Sequence, residues 1–217
     1  ANALSDRIID ATCNLVITSD GAFRGTKSIS LKDIVDEAVS NSPSIKNTIV
    51  FKRTGENVEM KEGRDIWWHD LIKGVSTDNT AEVMDAEDVL FILYTSGSTG
   101  KPKGVVHTTG GYMVFAEYTF KNVFQYSDGD IYWCTADIGW VTGHSYIVYG
   151  PLLAGATIIM FEGIPTWPDA GRFWEVVAKY KVNQFYTAPT AIRALIAQGN
   201  DFVKKHDLSS FKVLGTV

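Results

Sequence analysis

Cysteine is scarce in this chain: 217 residues contain only Cys13 and Cys134. That excludes a disulfide framework. Both lie in strand-like stretches and are read as buried, reduced thiols, which fits a cytoplasmic setting. Histidine is nearly as rare, with four residues and no spacing that suits a metal ion, so no direct metal ligand is expected. A basic surplus is missing too. Lys and Arg number 20 against 25 Asp and Glu, for a net charge of −5. That argues against a nucleic-acid partner but leaves room for a few local cations around one phosphate group. No membrane span is expected either. The uncharged stretch between Val141 and Phe161 is interrupted by Gly143, Gly150, Pro151 and Gly155, and it carries His144 and several hydroxyls. A helix, a turn and a strand explain it better.

What is present is ordinary globular composition, 45% hydrophobic and 21% charged, enough for one sizeable core or two small ones. Strand and helix patterns alternate. NLVI (14–17) and TIVF (48–51) read as strands, with a helix between them opened by Ser30 and Asp33 at capping-box spacing. RDIWWHDLIKG (64–74) reads as a short amphipathic helix, and the polar stretch from Gly74 to Asp88 as an internal linker. VLFILY (89–94), IYWCT, ATIIMF (156–161), QFYTA and KVLGTV read as further strands. Helices are expected at about Gly110–Phe124, Ser145–Leu153, Pro168–Tyr180 and Thr190–Gln198. The fold class is therefore α/β, with mainly parallel sheets flanked by helices. The expected division is residues 1–85 and 86–217. Helical spacing already runs through Ala3, Leu4, Ile8 and Ala11 without a start signal, and the chain stops inside KVLGTV. Both ends read as cut, so a piece of a longer protein is expected.

The most informative stretch is YTSGSTGKPKG (94–104). It leaves the end of an apolar strand, which is where open α/β sheets hold ligands. Gly97 and Gly100 permit positive φ, so backbone N–H groups can converge on an anion. Thr95, Ser96, Ser98 and Thr99 add hydroxyl donors, and Lys101 and Lys103 add charge. Each hydrogen bond to a charged oxygen contributes roughly 1.5–3 kcal/mol, so several together suffice for a polyphosphate. The Walker A pattern does not fit, because Thr95 stands where its first glycine belongs and Pro102 follows Lys101. A solvated Ser/Gly surface loop is the bland alternative.

TSGSTGKPKG resembles the phosphate-loop signature of the adenylate-forming enzymes, the superfamily of acyl-CoA synthetases, firefly luciferase and peptide-synthetase adenylation domains. WCTADIGWVTGHSYIVYGPLLAGAT (133–157), FEGIPTWPD (161–169) and YTAPTAIRAL (186–195) resemble its acetyl-CoA synthetase branch closely, and its propionyl-CoA synthetase branch less so. The resemblance covers essentially the whole chain. It implies part of a large N-terminal domain that works on ATP with Mg²⁺, acetate and coenzyme A, alongside the rest of a full-length enzyme. Thr95, Ser96, Gly97, Ser98, Thr99, Gly100 and Lys101 would bind ATP phosphates. Arg24, Gly25, Thr26 and Lys27, with Thr142, Thr166 and Ala188, would contact coenzyme A. At Lys27 the family has a second arginine, so the charge stays but the bidentate fork is lost. At Thr166 relatives often carry asparagine. Trp140, Val141, Thr142 and Val217 would form the acyl pocket. The catalytic lysine would lie in a C-terminal domain absent from this chain, so no catalytic residue is expected here and the chain alone is expected to be inactive. His144 is read as a structural residue rather than a base. The alternatives are a propionyl-CoA synthetase fragment and a non-catalytic nucleotide-binding module.

Overall fold

A computed structural model describes residues 1–95 and 103–216. They form two compact units. One gathers Ala1–Val83 with the described residues of Tyr94–Val105, and the other gathers Met84–Leu93 with those of Val106–Val217.

The first unit begins with α1 (Asn2–Asp10), β1 (Leu15–Ser19), the strands β2 (Gly21–Arg24) and β3 (Lys27–Ser30), and α2 (Leu31–Ser40). β4 (Asn47–Phe51), β5 (Asp65–Trp67) and the single turn α3 (Trp68–Leu71) follow. β1, β4 and β5 make a parallel sheet in that order. Its small core joins Ile8 of α1 to Val35 and Val39 of α2. The helix expected over 64–74 is half strand, because the Ile66 backbone joins the ladder opposite Ile49. Arg64 and Asp65 are meanwhile drawn into a charge cluster. The fully buried Lys32 ammonium lies 2.9 Å from Asp65 and 2.6 Å from Asp36, and Arg64 reaches both carboxylates. Ser30 is the N-cap residue of α2, as its spacing suggests, but its side chain makes no capping bond. The first helical N–H groups, of Leu31 and Lys32, donate instead to the Asp20 carbonyl.

The second unit is wound on both sides of a parallel sheet. Residues 89–93 of β6 (Val89–Thr95) and 106–108 of β7 (Lys103–Thr108) belong to this unit, the two strands pair with each other, and α4 (Thr109–Val123) follows. Next come β8 (Ile131–Cys134), α5 (Val141–Gly143), a π-helical segment (His144–Tyr149), α6 (Gly150–Leu153) and β9 (Thr157–Ile159). α7 (Arg172–Tyr180), β10 (Gln184–Thr187), α8 (Pro189–Ile196), α9 (Asp201–Lys204) and β11 (Val213–Thr216) complete it. The strand order is β11-β10-β8-β9, all parallel. Alternate side chains feed two aromatic layers. Trp133 and Phe185 pack with Phe173 and Val177 of α7 on one face. Tyr132, Cys134 and Tyr186 pack with Phe120 and Phe124 on the other.

Three expectations shift here. α7 starts at Arg172 with Gly171 as its cap, so Pro168 precedes the helix rather than occupying its first turn. The helix expected at 145–153 opens with i→i+5 turns. Gly150 permits the close packing, since a Cβ there would lie 2.7 Å from the Ala116 and Ser145 carbonyl oxygens. Both cysteines are free, as read, with Cys134 buried in β8, whereas Cys13 lies in the turn ahead of β1.

Candidate functional site

The chain runs from β8 to β9 on one side of the sheet, then returns past β8 to β10 and on to β11. The strand order therefore reverses between β8 and β10, and connections leaving their carboxyl ends part in opposite directions. Such a switch point opens a crevice. A cavity of about 380 Å³ lies there, lined by Cys134, Thr135, Ala136 and Asp137 after β8 and by Tyr186, Thr187, Ala188 and Thr190 after β10. Trp140 and Thr142 close its side. The volume is in the range of small-molecule sites.

The wall after β8 is held by short-range bonds. The Asp137 side chain accepts from the Gly139 N–H at 2.8 Å, and the Asp137 carbonyl accepts from the Trp140 N–H at 3.1 Å. Gly143 is obligatory here, because a Cβ would sit 2.4 Å from the Asp137 carbonyl oxygen and 2.5 Å from the Ile138 Cα. Trp140 is thereby held 71% exposed at the rim, with its large ring unspent in any core. Val141 is the first residue of α5, 48% exposed, and does not line the cavity. Thr166 is exposed in the connection between β9 and α7 and is not among the lining residues either.

Sequence reasoning missed the hydroxyls on the cavity floor. Thr135 and Thr187 share a hydrogen bond of 2.6 Å, and Thr187 is buried. The signal was available as a threonine ending each of IYWCT and QFYT, but it takes pairing across 52 residues to bring them together. Around them burial disfavours charge. It pushes the Cys134 thiol up to about 11, against the pull of the Ala136 N–H, and the Tyr186 phenol up to about 12. The Thr135, Thr187, Cys134 and Tyr186 side chains offer neutral donors and acceptors, and Asp137 is the carboxylate among the lining residues.

His144 donates its Nδ1–H to the Trp140 carbonyl at 3.0 Å, and its ring lies 4.9 Å from Phe91. Phe91 also meets His107 and Tyr112, each at 4.8 Å, and Tyr112 hydrogen-bonds Ser145 at 2.7 Å. These contacts tie His144 into the aromatic cluster around Phe91.

Of the hydroxyl loop, Thr95 ends β6, exposed, and Lys103 begins β7. Ser96, Gly97, Ser98, Thr99, Gly100 and Lys101 lie outside the described residues, as does Val217. The loop joins two paired strands, and α4 starts at Thr109, next to the expected Gly110.

The basic quartet forms the tip of a hairpin in the first unit. Arg24 and Lys27 are cross-strand partners, and Gly25 takes φ 63° at the first turn position. Only glycine adopts that angle without strain, which suits a two-residue hairpin turn. The pairing sets two cations directly opposite each other, an arrangement that is unfavourable unless an anion is shared.

The sequence profile described as AMP-binding enzyme matches residues 1–217. This chain belongs to that family. As an AMP-binding enzyme sequence it is 59% identical over 216 residues to the acetyl-coenzyme A synthetase of Alkalilimnicola ehrlichii, covering all of this chain and 34% of that protein. The same-named protein of Escherichia coli strain K12 is 58% identical over 217 residues, with 33% of its length covered. That of Nostoc linckia is 59% identical, with 64% covered. The chain thus spans about a third of the length of the Alkalilimnicola and Escherichia relatives. The parallel α/β architecture with its switch-point crevice is what membership of this family leads one to expect. Among the described residues, no helix is long and apolar enough to cross a membrane. No group of three or more His, Cys, Asp or Glu among them is arranged to hold a metal.

Proposed function

We propose that this chain is part of an AMP-forming acetate–CoA ligase of the cytoplasm. In this reading the acetate carboxylate attacks the α-phosphate of ATP, giving acetyl-AMP and pyrophosphate. The coenzyme A thiol then attacks the acetyl carbon and AMP leaves. The observation that carries the reading is the cavity at the β8 and β10 strand ends. It gathers Trp140, Thr142 and Ala188, which resemblance to the acetyl-CoA synthetases singles out, at a topological switch point. The whole-chain identity to proteins named acetyl-coenzyme A synthetase supports it from a separate direction.

Each part of the chain then has a task. Thr95 and the loop through Lys101 hold the β- and γ-phosphates, so their contribution is positioning and charge stabilisation. Mg²⁺ arrives with ATP and screens phosphate charge, and no ligand to it is assigned within this chain. Trp140 bounds the acyl group, and the hydroxyls of Thr142, Thr135 and Thr187 line the approach. Arg24 and Lys27 face the phosphates of coenzyme A, with Gly25 and Thr26 giving backbone N–H groups, while Thr166 and Ala188 border its remainder. The catalytic lysine belongs to the part of the enzyme beyond this chain.

The test uses the full-length protein that contains this chain. Acetate-dependent ATP–pyrophosphate exchange is expected in the wild type, with propionate the poorer acid by about 10- to 200-fold in kcat/KM, the range one methylene commands in an apolar pocket. Gly100→Ala with Lys101→Ala should remove most of the exchange. Equal use of propionate would turn the assignment to the propionate-activating branch. Undiminished exchange in the loop variant would remove the loop from the site, and no exchange in the wild type would favour a non-catalytic module.

A further inference from the structure

The hairpin that carries Arg24 and Lys27 is poorly suited to hold itself. Its strands have four residues each, and its tip opposes two cations. An isolated two-stranded ribbon is marginal in water, and like charges across its end weaken it further. The order must come from its foot, and there a single residue dominates. Asp20, fully buried between β1 and β2, takes part in seven hydrogen bonds. Its N–H donates to the Phe51 carbonyl at 3.0 Å, and its carbonyl accepts from Leu31 and Lys32 at the start of α2, at 3.2 and 3.3 Å. One carboxylate oxygen accepts from the N–H groups of Gly21, Arg53 and Thr54 at 2.8, 2.7 and 2.9 Å, and the other from Gly55 at 2.7 Å. The start of the hairpin and the turn after β4 are thus tied to the Asp20 side chain, while the start of α2, just past the other end of the hairpin, is tied to the Asp20 backbone carbonyl. Gly21 seals the joint, since a Cβ there would lie 2.9 Å from Thr54 Oγ1 and 3.0 Å from the Ile29 carbonyl oxygen. Above it the Arg53 guanidinium stacks 5.2 Å over Phe23.

We propose that Asp20 is a positioning residue for coenzyme A: by clamping the hairpin foot to the 53–55 turn and to α2, it fixes the direction in which Arg24 and Lys27 meet the polyphosphate. The inference rests on the coenzyme A reading of those two cations. Asp20 itself touches no substrate. Its carboxylate is buried, and the four backbone N–H groups it accepts from belong to the segments that set the hairpin angle.

Asp20→Asn is the sharpest variant. It keeps the shape and the oxygen that serves Gly21, Arg53 and Thr54, but turns an NH₂ toward the Gly55 N–H. Gly21→Ala disturbs the same joint by a different route and carries the test should the first variant fail to fold. In the full-length enzyme, each is expected to raise KM for coenzyme A by about three- to ten-fold, the worth of one lost hydrogen bond. Acetate-dependent ATP–pyrophosphate exchange, which needs no coenzyme A, stays at its wild-type rate. In an Arg24→Ala background the effect of Asp20→Asn on that KM should largely vanish, because residues that act as a unit are not additive. Exchange falling in step with thioester formation overturns the proposal in favour of a general structural role. Additivity with Arg24→Ala overturns it as well. Wild-type KM values in both joint variants, beside a raised one in Arg24→Ala, sink the Asp20 assignment and leave the coenzyme A reading standing. An unchanged KM in Arg24→Ala sinks the coenzyme A reading and this inference with it.

Discussion

The hairpin foot and the strand-end cavity solve the same problem, holding exposed functional side chains still, with opposite materials. In the first unit the supports are ionic and polar: Asp20 on four backbone N–H groups, and Lys32 sealed between Asp36 and Asp65. In the second, Trp140 and Thr142 stand on layers of aromatic rings. Phe185 stacks on Trp133 at 4.8 Å, and Tyr132 meets Phe120 edge-on at the same distance. The difference follows from topology. A four-stranded sheet covered on both faces offers enough apolar area to fix its own strand ends. A three-stranded sheet with a hairpin beside it has a small core and relies on charges that cannot leave their partners.

That contrast can be broken from either side. The largest effects are expected from Phe185→Ala, which empties the centre of one aromatic layer at about 3–5 kcal/mol, and then from Lys32→Met, which leaves Arg64 as the remaining cation on the buried Asp65 carboxylate at a cost of about 1.5–3 kcal/mol. Hydrogen exchange in the full-length protein, resolved by segment, should show protection lost in the second unit for Phe185→Ala and in the first for Lys32→Met. Loss in the same unit for both would erase the distinction.

A smaller effect comes from acid. Burial alone would raise the Asp20 and Asp65 carboxyls, but backbone N–H groups at Asp20, and Arg64 and Lys32 at Asp65, overcome it and hold each down to about 2. A folded value below the unfolded one stabilises at pH above the unfolded value and is lost as pH falls through the folded value. Each group therefore contributes about 2 kcal/mol at neutral pH, fading between about pH 5 and pH 2. Protection in the first unit should fade across that window before protection in the second, and the cost of Lys32→Met should shrink there while that of Phe185→Ala stays constant. The least change is expected from Thr135→Val. It takes away one partner of the buried Thr187 hydroxyl and costs about 1 kcal/mol, read as a modest loss of protection in β8 and β10 alone.

Legibility in the sequence followed the same divide. The second unit was largely readable, because IYWC and QFYT are apolar runs between turn signals and buried parallel strands take that form, whereas VLFILY, read the same way, is a strand with no buried residue that pairs with β7 outside the parallel sheet. Of the first unit, the β2–β3 hairpin was not read at all. GAFRGTKS alternates weakly, and exposed residues such as Phe23 and Ile29 mark no face. β5 was hidden because Ile66, Trp67 and Trp68 between charged residues fit a helical period as well as a strand. Thr135, Asp137, Thr187 and Thr190 went unnoticed as cavity residues, being ordinary polar residues until two strands lie side by side. The phosphate loop was read from its motif alone.

The sequence by itself determined what repeats locally: the alternation of strands and helices, the parallel α/β class, the hydroxyl-glycine-lysine loop and the family likeness of its motifs. These depend on neighbours within a few residues, where periodicity and turn chemistry act. Only the tertiary structure decided that strand order reverses between β8 and β10, opening a cavity where Thr135 meets Thr187 across 52 residues. Only it decided that Asp20, one acidic residue among 25 Asp and Glu, organises a hairpin and a distant turn. The physical reason is common to both. A buried polar group takes its meaning from the partners that replace water, and chain folding, not spacing along the chain, chooses those partners.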